Sequence, residues 1–307
     1  MSKAKIIAIV GPTAVGKTAL GIELAQRFNG EIISGDSLQV YKRLDIGTAK
    51  ATSEEQNQAI HHLIDVREIN ENYSASDFQH SAKALIEEIT ARKRLPIVVG
   101  GTGLYIQSLL EDYSLGGVHH FPHVREKYEK YLEENGKTAL WELLYKKDVK
   151  SAEMTHENNT RRIIRALEVL ENTGKSIVQA DGTTDLDLYQ SKIFGLTTKR
   201  ELLYERINLR VKQMQENGLL EEARFLYENY PNAQAAAGIG YKEFFPYFKG
   251  EITLDMAIEK VQQHSRNYAK RQLTWFRNRM NTEWFDLVEN GEEKEKLFQE
   301  VEQFLAL

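Results

Sequence analysis

The stretch Val10-Gly-Pro-Thr-Ala-Val-Gly-Lys-Thr18 decides the fold, because it sets Gly11, Gly16, Lys17 and Thr18 in the pattern G-x-x-x-x-G-K-[ST]. The apolar run Ile6 to Val10 before it reads as a buried strand that delivers a loop. The segment from Thr18 to Phe28, ending near Asn29-Gly30, reads as the helix that leaves it. Glycines let such a loop curl until its N–H groups converge on an anion at the helix N-terminus. Lys17 adds a cation, and Thr18 offers a hydroxyl to Mg²⁺. A phosphate-bearing ligand is therefore the first functional expectation.

Working outward, Glu31 to Ser34 and Pro96 to Gly101 read as two further strands. Between them Asp77 to Arg94 has helical periodicity, with Ser76 as its expected cap. Strands alternating with helices predict a parallel sheet with crossover helices on its faces, an α/β P-loop core. From about Gly116 to Tyr189 the chain turns rich in Glu, Lys, Arg and Tyr and shows only helical patterns, in VREKYEKYLEEN, TALWELLYKK and TRRIIRALEVLENTG. Strand character returns at Lys192 to Thr198. That order predicts a helical insertion over 116–189 within a core made of 1–115 and 190–307, with Ala180 to Asp187 as the exit loop. Long helices are expected from Arg200 to Asn217 and across TLDMAIEKVQQHSRNYAKRQLTWFRNRM, a last strand in TEWFDL, and a closing amphipathic helix in GEEKEKLFQEVEQFLAL.

Composition narrows the class. The 307 residues are 41% hydrophobic and 28% charged, as in ordinary globular proteins. There is neither a run of about eighteen apolar residues nor a charged-then-apolar leader, so no membrane or secretory role is expected. With no cysteine, disulfides and thiolate zinc sites are excluded, and a reducing cytoplasm is compatible. A net charge of −5 argues against a uniformly basic coat for nucleic acid but permits a local basic groove.

Two other strand ends point to the same sheet edge. The second strand runs into Asp36 and Ser37, where open α/β sheets bind ligands; Asp36 is expected either to hold Mg²⁺ through water or to act as a base. The third ends in Gly100-Gly101-Thr102-Gly103, glycines that suit close approach of a ligand or of backbone. A kinase or hydrolase would be expected to carry an acidic motif at that third strand end. Glycines stand there instead, so the loop is expected to hold a diphosphate that is not part of a nucleotide. An ATP-using kinase and an RNA-binding module with a vestigial loop are the rival readings.

The motifs GPTAVGKT, DSLQVYKRLDIGTAK, HHLIDV, YSASDF, VVGGTGLY, NTRRIIRALEV, RELLYERINLRV, GIGYKE and YAKRQLTWFR, in this order from about residue 5 to 280, resemble those of the tRNA dimethylallyltransferases. The resemblance implies transfer of a five-carbon prenyl group from dimethylallyl diphosphate to the exocyclic amine of the adenosine 3′-adjacent to the anticodon. Gly35, where the family more often has Ala or Val, and Thr160, where Pro is frequent, depart from its pattern. The diphosphate is then expected on Gly11, Thr13, Ala14, Val15, Gly16, Lys17 and Thr18, with Arg210 as a further clamp and Mg²⁺ at Thr18. Asp36 is the candidate base for a weakly nucleophilic amine, Thr102 would orient the same adenine, and Arg125 resembles an arginine facing the reaction channel. Asp36, Ser37, Leu38, Gln39, Thr102 and Arg125 are expected on the tRNA side. Arg161, Arg162 and Arg165, with Ile163, Ile164 and Leu167 left for packing, form one basic helix, and Lys270, Arg271, Arg277 and Arg279 beside Trp275 and Phe276 form another; together with the insertion they are expected to clamp the tRNA. A cytoplasmic monomer is expected. The histidines at 61, 62, 119, 120 and 123 are not read as a metal site, and His62 is expected to make a core hydrogen bond.

Overall fold

The computed structural model describes residues 3–111, 121–180 and 188–307, apart from the side chains of residues 122, 179 and 180. The chain divides into two compact units, one of Met1–Leu110 with Leu188–Leu307, the other Glu111–Asp187. In the first, strands β1 (Ala4–Val10), β2 (Gly30–Ser34), β3 (His61–His62), β4 (Leu95–Gly100), β5 (Tyr189–Leu196) and β6 (Glu283–Phe285) form one sheet in the order β3-β2-β4-β1-β5-β6. Every pairing is parallel.

Parallel sheets are covered on both sides, so their central strands are apolar throughout rather than alternating. In β1 the side chains of Ile6, Ala8 and Val10 enter one core with Ile33, Phe78, Ile86 and Ile106. Ile7 and Ile9 enter the other with Leu20, Leu24 and Ile97. Ile6 to Val10, five of the seven β1 residues, are fully buried, each isoleucine contributing about 1.5–3 kcal/mol. Helices α1 (Lys17–Arg27), α2 (Ser53–Gln58), α3 (Ala75–Ala91) and α4 (Gly103–Leu110) belong to this half. The cap of α3 is Ser74 and not Ser76. Its side chain accepts the Asp77 N–H while the Asp77 carboxylate accepts the Ser74 N–H, a reciprocal capping box that a serine one residue before Asp77 is too close to make. His62 pairs with buried Glu31 at 2.6 Å, alongside Arg92 and Arg94.

The second unit holds α5 (Pro122–Lys147), broken at Gly136, then α6 (Val149–Glu153), α7 (Thr160–Thr173) and α8 (Ile177–Ala180). Its core sets Ile163, Ile164 and Leu167 of α7 against Leu140 and Leu144 of α5. Thr160 is the first residue of α7 after the Asn159 cap, a position where proline is also favoured because its N–H needs no helical partner. The expected boundary at Gly116, residues 181–187 of the exit loop, and His119 and His120 lie outside the described residues.

After β5 the first unit continues through α9 (Arg200–Glu216), α10 (Leu219–Asn229), the short α11 (Phe245–Phe248), α12 (Leu254–Arg279) and α13 (Glu293–Ala306). The last buries Leu297, Phe298 and Val301 against the β1–α1 side of the sheet. Among the described residues no helix is long and apolar enough to cross a membrane.

Candidate active site

Strand order makes the site. β2, β4 and β1 are consecutive in the sheet, with Val10 opposite Gly100 and Ser34 opposite Val99. Because all three run the same way, the loops that follow them, at 11–16, 35–39 and 101–102, emerge side by side at one edge.

The first loop is shaped for close approach. Gly11 has φ of 141°, and a Cβ there would stand 2.5 Å from the Leu196 carbonyl oxygen. Gly16 caps α1 in a left-handed conformation, and Ala14 also has positive φ. Lys17 donates to the Pro12 carbonyl at 2.7 Å. Helix α9 reaches back to the loop with two arginines one turn apart: Arg206 donates to the Ala14 carbonyl at 2.9 Å and Arg210 to Thr13 Oγ1 at 3.2 Å. A cleft of ≈ 470 Å³ borders Arg210, its lining mixing apolar Ile46, Ala51 and Met214 with charged Asp45, Lys50 and Asp65.

Opposite these cations stands Asp36, whose Oδ1 accepts the Leu38 N–H at 2.9 Å. The Ser37 N–H donates to Thr102 Oγ1 at 3.2 Å, joining the second loop to the third. Burial raises the Asp36 carboxyl above its ordinary range, against the pull of Lys17 and Arg210. Burial and the neighbouring Arg210 guanidinium push the Lys17 ammonium down to about 7, and burial likewise lowers Arg210. Arg210 thus sits close enough to Lys17 to depress it, a concentration of positive charge that suits an anion.

The remaining expected residues are placed as follows. The Gln39 side chain is engaged within its own loop, accepting from Ser34 Oγ at 2.8 Å and donating to the Thr48 and Ala49 carbonyls. Leu38 packs on the core and against Gly238. In the second unit Arg125 on α5 pairs with Glu129 at 2.8 Å, and Arg165 on α7 pairs at 3.1 Å with the fully buried Glu168. Arg161 is exposed and Arg162 half-buried on the same helix. On α12, Phe276 is core, whereas exposed Arg271, Arg277 and Arg279 lie over the rings of Tyr268, Trp284 and Trp275.

Three residues beside this edge carry no expected role of their own from the sequence, although each lies within a quoted motif, Arg206 in RELLYERINLRV and Tyr268 and Gln272 in YAKRQLTWFR. Arg206 is one; its spacing of four from Arg210 is the signal that was available. Gln272 and Tyr268, also four apart on α12, are the others. Gln272 Oε1 accepts the Thr13 N–H at 3.0 Å and its Nε2 donates to the Gly101 carbonyl at 2.9 Å. Tyr268 lies beside Thr102, and burial together with the Asp36 charge lifts its hydroxyl to about 12.

The fold and this edge define a parallel α/β protein in which a glycine loop at a helix N-terminus, two depressed cations and a raised carboxylate face one another. A family model described as IPP transferase matches residues 39–279. A tRNA dimethylallyltransferase of Enterococcus faecalis is 56% identical over 303 residues, spanning 98% of this chain and 97% of that protein. The crystal structure of a full-length tRNA isopentenylpyrophosphate transferase from Bacillus halodurans superposes with a TM-score of 0.74 at 45% identity, covering 99% and 97% of the two chains. A eukaryotic dimethylallyltransferase, caught acting on tRNA, gives 0.77 at 32% identity over 92% of this chain and 74% of its own. The chain belongs to the IPP transferase family.

Proposed function

We propose that this protein transfers the dimethylallyl group of dimethylallyl diphosphate to the exocyclic amine of the adenosine 3′-adjacent to the anticodon in tRNA, releasing diphosphate. The observation that carries the reading is that Asp36 lies within electrostatic reach of Lys17 and Arg210 while the next residue of its loop is hydrogen-bonded to Thr102, in a chain more than half identical to an enzyme of that name.

The chemistry follows from the charges. A C–N bond forms at the allylic carbon as its C–O bond breaks, and the electron pair leaves on the diphosphate. Groups already aimed at that charge lower the barrier most. The N–H groups of the loop from Gly11 to Thr18, the Lys17 ammonium and the Arg210 guanidinium hold the diphosphate in this reading. The adenine amine loses a proton as it attacks, and Asp36 accepts it; a carboxyl raised by burial is a stronger base than an ordinary one. Thr102 takes a hydrogen bond with the same base.

Mg²⁺ fits this donor set. No cluster of three or more acidic, histidine or cysteine side chains suited to a metal occurs among the described residues, so the protein would offer the Thr18 hydroxyl, and substrate oxygens and water the rest, as Mg²⁺ prefers. When bound it would neutralise charge on the leaving diphosphate. The exposed Arg161 and half-buried Arg162, with Arg125, are assigned to tRNA phosphates. A tRNA substrate and a cysteine-free sequence support a cytoplasmic location. The test is transfer of radiolabel from prenyl-labelled dimethylallyl diphosphate to tRNA with Mg²⁺ present. Label moving from ATP to a small acceptor instead, or RNA retention without transfer, would overturn the assignment.

A further inference from the structure

Gln272 sits where the reaction needs spacing rather than charge. It is 5% exposed on α12, and its amide closes two hydrogen bonds of opposite sense: Oε1 takes the Thr13 N–H of the diphosphate loop at 3.0 Å, and Nε2 gives to the Gly101 carbonyl at 2.9 Å. The packing is tight enough to dictate the sequence of its partner. A Cβ at Gly101 would stand 2.0 Å from Nε2, and one at Gly103 would stand 2.3 Å from Trp275 Cδ1, one turn further along the same helix. Tyr268, one turn earlier, lies beside Thr102. Positions 268, 272 and 275 form a single face of α12 laid against the 101–103 loop.

We infer that Gln272 is a positioning residue that sets the distance between the loop holding the diphosphate and the loop orienting the adenine. Only a primary amide supplies an acceptor and a donor at these two points from one side chain. The inference rests on the reading of Thr102 as an adenine-side residue. Misplacement of reacting groups by about 1 Å costs on the order of a hundredfold in rate. Freeing the 101–102 loop is therefore expected to act on turnover more than on donor binding.

The experiment measures single-turnover transfer with both substrates saturating, the KM for dimethylallyl diphosphate, and the thermal midpoint, for Gln272→Glu, Gln272→Met, Gly101→Ala and Thr102→Ala. Gln272→Glu keeps the acceptor for Thr13 but turns an oxygen toward the Gly101 carbonyl. Its turnover is expected to fall about ten- to a hundredfold with KM for the donor nearly unchanged. Its rate relative to the wild type should rise as pH falls, because a protonated carboxyl again donates to Gly101; taking the ratio removes the wild-type response of Asp36. Gln272→Met loses both bonds and is expected to raise KM as well. Gly101→Ala displaces the amide from the other side and should reproduce the turnover loss, which keeps the inference testable if a Gln272 variant does not fold. Folded Gln272→Glu or Gly101→Ala protein with wild-type turnover overturns the inference. Wild-type transfer by Thr102→Ala overturns the underlying reading of the site instead.

Discussion

At pH 8, binding of dimethylallyl diphosphate is expected to draw a proton from solvent onto Lys17. With its pKa pushed down to about 7 by burial and by Arg210, the free amine is neutral in about half of the molecules at pH 7 and about nine-tenths at pH 8. A phosphate charge about 4 Å away contributes about 4 kcal/mol at an effective dielectric constant of 20, equivalent to about three pKa units. That returns the ammonium close to its ordinary range. Uptake should therefore be about 0.5 proton per ligand at pH 7 and about 0.9 at pH 8, where the ligand's own phosphate, with a pKa of about 6, is already ionised. Linkage then requires the affinity to fall about tenfold per pH unit between pH 8 and 9.5. Calorimetric titration in two buffers of different ionisation enthalpy reads the proton directly, and Lys17→Met should abolish it. Heats at pH 8 that are independent of the buffer would refute the placement of Lys17 as the depressed, ligand-restored cation.

Asp36→Asn should slow transfer at saturating substrates by about a hundred- to ten-thousandfold, since an amide cannot take the proton; recovery at raised Mg²⁺ would make Asp36 a metal-organising group instead. In the wild type the rate should fall on the acid side as pH drops through the Asp36 pKa, which burial holds above the ordinary carboxylate value, and that limb should be missing from the Asn variant's residual rate. Neutralising Arg161 and Arg162 should weaken tRNA binding and reduce the slope of log K against log salt by about 0.7–0.9 for each phosphate no longer neutralised, leaving saturated turnover nearly unchanged; an unaltered slope returns them to the solvated surface. Gly100→Ala should destabilise the fold by about 1–3 kcal/mol or more in chemical denaturation, because its Cβ would meet the Gly35 carbonyl oxygen at 2.3 Å.

Much of the site was legible because its parts announce themselves locally. A glycine loop between an apolar strand and a helix is a local pattern that places Lys17 and Thr18 at the start of α1, and Asp36 and Thr102 fall just past strand ends that periodicity alone locates. The glycines of Gly100 to Gly103 were legible as close approach but not as approach to what. Only coordinates show that they make room for Gly35, Gln272 and Trp275. Basic residues were the least legible from sequence. Arg161 and Arg165 share a helix face, yet Arg165 is tied to a buried Glu168 while Arg161 is exposed. Helical spacing says which side chains are neighbours, and not which of them faces an internal partner.

By itself the sequence determined the parallel α/β core, the helical character of the interruption and the strand-loop-helix setting of the first loop, because hydrophobic period and glycine placement are local properties of the chain. The tertiary structure alone decided the order β3-β2-β4-β1-β5-β6, which brings three loops from distant parts of the chain to one edge. It also decided that α9 and α12 return to lay Arg206, Arg210, Tyr268 and Gln272 against those loops. The physical reason is that a hydrogen bond between Thr13 and a residue 259 positions away depends on how whole helices pack, and no window along the chain contains both partners.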